Sequence, residues 1–77
     1  MEDTLKFLNK RIREEHGKRV TADSMWTEAE VDSFGTTVIF LDMDAKYGNF
    51  SNDWFSTIDW KSLTIQYILD RANYESK

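Results

Sequence analysis

The chain has 77 residues, no cysteine, no proline and a formal net charge of −4; 40% of its residues are hydrophobic and 14% aromatic. That length predicts one domain, residues 1–77, with a modest core, and the missing cysteines exclude a disulfide framework or a thiolate metal site. The charge is uneven, six Lys/Arg against four Asp/Glu in residues 1–20 and four against ten in the remainder, so an acidic body repels phosphates, argues against nucleic acid binding and suits partners with basic docking surfaces.

The first residues lack the basic-then-apolar pattern of a secretion signal. The longest apolar run, Val38-Ile39-Phe40-Leu41, is far short of the roughly 20 residues that cross a bilayer. A cytoplasmic protein without membrane insertion, and a monomer, is the expectation. Without an export signal, the glycosylation sequon Asn49-Phe50-Ser51 carries little weight.

Glu2 to His16 reads as the first helix. Leu5, Leu8 and Ile12 recur at steps of three and four and form one apolar stripe, with Phe7 beside it. Gly17 is expected to stop the helix in a left-handed cap. Lys18 to Val31 reads as a long connection, anchored by Val20, Met25 and Trp26, with a short helical turn around Thr27-Glu28-Ala29-Glu30. A connection this long is either functional or locally packed, and the Trp26 ring points to packing.

Asp32 to Tyr47 reads as the second helix, with Asp32 as N-cap and Gly48 as the stop. Phe34, Val38, Leu41 and Ala45 form one helical stripe; Ile39, Phe40, Met43 and Tyr47 form another. A helix apolar over so much of its circumference is central in its fold. Thr36, Thr37, Val38 and Ile39 are weak helix formers, which leaves a strand over Thr36 to Leu41 as the competing assignment. A short third helix is expected around Asp53 to Thr57. The last helix is expected over Ser62 to Asn73, capped by Ser62, with Leu63, Ile65, Ile68, Leu69 and Ala72 facing inward. The tail, Tyr74 to Lys77, is expected to fray.

Conventional catalysis is poorly supplied. His16 is the only histidine, and at a helix C-terminus its structural role dominates, because the dipole favours a cation there. Asp42 and Asp44, two residues apart on a helix, point away from each other. Trp26, Phe50, Trp54, Phe55 and Trp60 resemble a base-stacking set, but acidic surroundings favour core and loop anchoring. Ser33 stands apart. It follows the N-cap at the positive end of the second helix, where free amides favour a phosphate group; plain capping is the competing role for Asp32-Ser33.

Asp32-Ser33-Phe34 resembles the Asp-Ser-Leu signature of acyl and peptidyl carrier proteins, with phenylalanine in place of leucine. Tyr47-Gly48 stands where the second helix of that family ends, and the long connection leading to the serine is also similar. The pentapeptide Asp32-Ser33-Phe34-Gly35-Thr36, with Trp60 ahead of the last helix, looks like the D-alanyl carrier proteins in particular. The chain departs from the family in a somewhat short first loop and in lacking a glycine directly before Asp32. Its second helix is also thinly charged: Gly35, Val38, Leu41 and Ala45 take outward positions where carriers bear acids, with Asp42 as the main acid.

The resemblance implies an all-α, four-helix carrier fold with a long first loop and a short third helix. It implies a non-catalytic protein whose Ser33 receives 4′-phosphopantetheine from coenzyme A through a phosphopantetheinyl transferase. The arm's thiol would hold an acyl or aminoacyl cargo as a thioester. The partners implied are an acyl- or aminoacyl-activating ligase and a downstream transferase or synthase. Asp32 would cap the helix and aid the transferase, while Phe34, Val38, Leu41 and Asp42 would meet partners. Phe34, Ile39, Phe40, Met43, Leu63, Ile65 and Ile68 are expected to build the core. The thin charge suggests a dedicated partner in place of a general fatty-acid synthase. The competing reading is a small helical interaction module without cofactor.

Overall fold

A computed structural model describes residues 2–74. Among these residues four α-helices follow in chain order: α1 (Glu2–Glu14), α2 (Ser33–Tyr47), α3 (Asn52–Thr57) and α4 (Ile65–Ala72), with a 3-10 turn at Trp26–Ala29 between the first two. No strand occurs among the described residues, and Thr36 to Leu41 is helical. The weak helix formers are accommodated because Thr37 donates its hydroxyl to the Ser33 carbonyl at 2.9 Å, while Ile39 and Phe40 are buried.

α1 packs through the expected stripe, with Leu8 and Ile12 fully buried and Leu5 beside them. Phe7 meets Tyr47 edge-on at 6.1 Å between ring centroids, joining the middle of α1 to the end of α2. The helix ends two residues earlier than expected. His16, not Gly17, takes the left-handed conformation (φ 68°). The Gly17 amide donates to the Ile12 carbonyl at 2.8 Å and the His16 amide to the Arg13 carbonyl at 3.0 Å, which is the Schellman pattern. Gly17 serves close packing instead. A Cβ there would lie 2.5 Å from Val31 Cγ2 and 2.7 Å from the Ala29 carbonyl oxygen.

The connection from Lys18 to Val31 is held at three places. The Asn9 side chain brackets Val20 with two hydrogen bonds. The Trp26 amide donates to the Leu63 carbonyl, and the Ile65 amide donates to the Ser24 carbonyl, both at 2.9 Å. Trp26 itself is buried. This backbone pairing keeps residues 63–64 extended and delays α4. Thr64, not Ser62, therefore caps it, accepting from the Tyr67 amide at 3.1 Å. Ser62 closes a turn onto Asp59.

Phe40 is the hub of the core. It is 1% exposed, and the rings of Trp26, Trp54, Trp60 and Phe50 stand 5.1, 5.4, 5.5 and 5.6 Å from its centroid. Such tilted and edge contacts add to the stabilisation from burial itself. At the C-terminal end, Arg71 lies over the Trp54 ring and donates from Nε to the Asn49 carbonyl. Asn49 in turn donates to the Arg71 and Tyr74 carbonyls at 2.9 Å each. Tyr74 is thus tied back to the body, while the rest of the expected frayed tail, 75–77, lies outside the described residues.

Candidate functional site

The site is built on the first turn of α2. Asp32 adopts an extended conformation, and its Oδ1 accepts from the Gly35 amide at 2.7 Å. Its carbonyl receives the Thr36 amide at 2.9 Å. Asp32 is therefore the N-cap, as its side-chain chemistry leads one to expect. Gly35 is buried at this turn, where a Cβ would lie 2.7 Å from Val31 Cγ1 and 3.2 Å from Glu15 Cβ. The expected outward placement of Gly35 is thus corrected: it faces the end of α1, because only a residue without a side chain permits that approach. At the other end of the helix, Gly48 takes φ 84° and its amide donates to the Asp44 carbonyl at 2.8 Å, which ends α2 at the expected Tyr47-Gly48.

Ser33 is exposed as the first residue of α2. It forms one edge of a cleft of ≈ 480 Å³. Trp26, Phe55 and Trp60 give the cleft its aromatic walls, and Val31, Thr27, Thr36 and Thr37 complete it. Among the described residues, no charged side chain lines it. Each wall has its own support: Trp26 through the backbone bond to Leu63, and Phe55 and Trp60 through an edge contact at 4.9 Å. An apolar recess with hydroxyls at its edge and a helix N-terminus beside it can receive an uncharged, partly apolar group attached to a phosphate.

The two apolar stripes of α2 separate. Ile39, Phe40 and Met43 are buried, as are Leu63, Ile65 and Ile68. Phe34 is 75% exposed and Leu41 58%, with Val38 half-buried between them. The expectation that Phe34 joins the core is therefore corrected. The buried face of α2 is Gly35, Thr36, Ile39, Phe40 and Met43; at the helical period Phe34 falls on the far side, so its side chain points into solvent. Its assignment to an outward face with Val38 and Leu41 matches its exposure.

Asp42 is not a free acid. Its Oδ2 accepts from Arg11 Nε at 2.6 Å, an ion pair that joins α2 to α1. Arg11 also pairs with Glu14 and Glu15. Burial works against the Arg11 charge, but the hydrogen bonds to Glu14 and Asp42 prevail and hold its pKa above the ordinary value. Asp44 instead receives the Phe50 amide at 3.0 Å. The two acids are separately engaged, and no cluster of three or more potential metal ligands occurs among the described residues. His16 is exposed at the end of α1.

The sequence reading missed the cleft. It treated Trp26, Phe55 and Trp60 as anchors, whereas each also presents a face beside Ser33. The available signal was that all three rings come from short or irregular segments, which are held near helix ends where a helix N-terminus can meet them. No helix among the described residues is long and apolar enough to cross a membrane. No protein-family model matches this chain, and no curated protein or solved structure is significantly similar to it.

Proposed function

We propose that this protein is a carrier, with Ser33 as the attachment point of a 4′-phosphopantetheine arm. The observation that carries the reading is the position of Ser33: exposed, first in α2, and on the edge of an uncharged aromatic cleft. The residues present fit the group. The amides and dipole at the start of α2 favour the phosphodiester, the cleft offers room for the pantetheine chain, and its hydroxyls can meet the chain's amides. When bound, the arm supplies a thiol that holds an acyl or aminoacyl cargo.

In the loading reaction, Ser33 Oγ forms a bond to the pantetheine-bearing phosphorus of coenzyme A. The bond from that phosphorus to the bridging oxygen breaks, adenosine 3′,5′-bisphosphate leaves, and the hydroxyl proton passes to the transferase. Asp32 keeps the first turn of α2 in place throughout. Phe34, Val38 and Leu41 form the surface that meets the transferase and later enzymes, which raises the effective concentration of a tethered substrate at each of them. Asp42, held by Arg11, lends that surface one anchored carboxylate. A surface with this little charge suits a dedicated partner that docks mainly by apolar contact. Loading that is fast and strongly salt-dependent with general fatty-acid enzymes would contradict that part of the reading.

The exposed Phe34 and Leu41 also favour a second reading, an interaction module whose α2 face binds a protein and whose Ser33 only starts the helix. Intact-mass analysis after incubation with coenzyme A and a broad-specificity transferase separates the two. The carrier gains one phosphopantetheinyl group and Ser33→Ala gains none; the module stays unmodified with several transferases.

A further inference from the structure

A second concave surface, sharing no lining residue with the Ser33 cleft, runs along α1 and encloses ≈ 520 Å³. Four cations line it: Lys6, Lys10, Arg13 and Arg19. The first three follow steps of four and three and so occupy one helix face. Arg19 comes from the following segment and is held against α1 by a specific device. The Asn9 side-chain amide donates to the Val20 carbonyl at 2.9 Å and its oxygen accepts from the Val20 amide at 2.8 Å. That clasp brings a fourth like charge to three that already repel one another.

No ion pair among the described residues relieves this repulsion. The ion pairs among the described residues engage Arg11 and Lys18, with Glu14, Glu15, Asp42 and Glu30 as their acids. The four groove cations have none. The chain carries a net charge of −4, yet no acid among the described residues pairs with these four cations.

We infer that the groove on α1 is a docking site for an acidic peptide segment of a partner protein. Carboxylates spaced along a short segment can reach cations on both walls, and an apolar side chain can rest on the half-buried Leu5, which also lines the groove. Other anions fit less well. A nucleic acid presents a long array of phosphates that the acidic remainder of the chain repels. A bilayer surface is flat where the groove is concave, and a peripheral membrane site needs apolar side chains to insert. The large exposed apolar side chains, Phe34, Leu41, Tyr67 and Tyr74, lie outside the groove.

The test uses the full chain and a fluorescein-labelled peptide of sequence Glu-Glu-Leu-Glu-Glu-Leu-Glu, read by fluorescence anisotropy. Binding is expected at low salt and is expected to weaken as salt is added. Lys10→Glu is expected to weaken it about tenfold, whereas Lys61→Glu, with the same change in net charge outside the groove, changes it less than about twofold. Lys10→Ala gives the same direction with a smaller effect, and far-UV circular dichroism confirms that each variant is folded. Phosphatidylglycerol vesicles and a duplex oligonucleotide serve as competing ligands. Failure of the peptide to bind, equal weakening by the Lys10 and Lys61 reversals, or tighter Lys10-dependent binding of vesicles or duplex would each overturn the inference.

Discussion

Phe34 and Phe40 have the same side chain, stand six positions apart on one helix and meet opposite fates. Phe40 lies at the centre of a ring of aromatic side chains and is 1% exposed, while Phe34 is 75% exposed beside Ser33. Hydrophobicity did not decide between them; helix phase did. Gly35, Thr36, Ile39, Phe40 and Met43 together make the buried face of α2, and at the helical period Phe34 falls on the opposite side. The inward face holds the fold together. The outward face adds little to stability, and the proposed carrier reading gives its exposed ring to partner docking.

The sharpest way to break this contrast is to truncate both rings. Phe40→Ala is expected to destabilise the protein by about 3–5 kcal/mol, enough to unfold a domain this small, and Phe34→Ala to change stability by less than about 0.5 kcal/mol. Urea unfolding followed by tryptophan fluorescence measures both. Equal losses would mean that Phe34 belongs to the core.

Gly17→Ala tests the close approach of the end of α1 to the segment that leads into α2. Its Cβ would meet the Ala29 backbone oxygen at 2.7 Å, which cannot move aside as a flexible side chain can, so a loss of about 1–3 kcal/mol is expected. Asp32→Ala removes the cap from the Gly35 amide and should cost about 1 kcal/mol; Asp32→Asn, which keeps an accepting oxygen, should recover most of it. Thermal unfolding of the pair checks both. The smallest stability effect belongs to Ser33→Ala, within about 0.5 kcal/mol, since its side chain is exposed at the start of the helix. A large loss there would move Ser33 from the functional face to the structural one.

Much of this contrast was legible in the sequence. The two stripes of α2 are visible in the spacing of Phe34, Val38 and Leu41 against Ile39, Phe40 and Met43, and Asp32 and Gly48 mark the ends of the helix by their local chemistry. Spacing did not say which stripe faces inward, because both are apolar and the deciding contacts, Gly35 to Val31 and Glu15, join segments distant in sequence or across the cap. The same limit explains α4. Ser62 and Thr64 are equally suitable caps locally, and the pairing of residues 63–64 with Ser24 and Trp26 chose Thr64. At the end of α1 the sequence pointed to Gly17 for the left-handed position, but the packing of Gly17 against Ala29 left it to His16. The cleft beside Ser33 needed three rings from three separate segments, a convergence that no local pattern records.

The most direct test of the functional face is a site-mapped mass spectrum of the protein after exposure to coenzyme A and a broad-specificity phosphopantetheinyl transferase. One added phosphopantetheinyl group is expected, located on the peptide containing Ser33, absent in Ser33→Ala and slowed in Phe34→Ala although that variant remains fully folded. An unmodified protein with every transferase tried, or a group mapped to another serine, would contradict it.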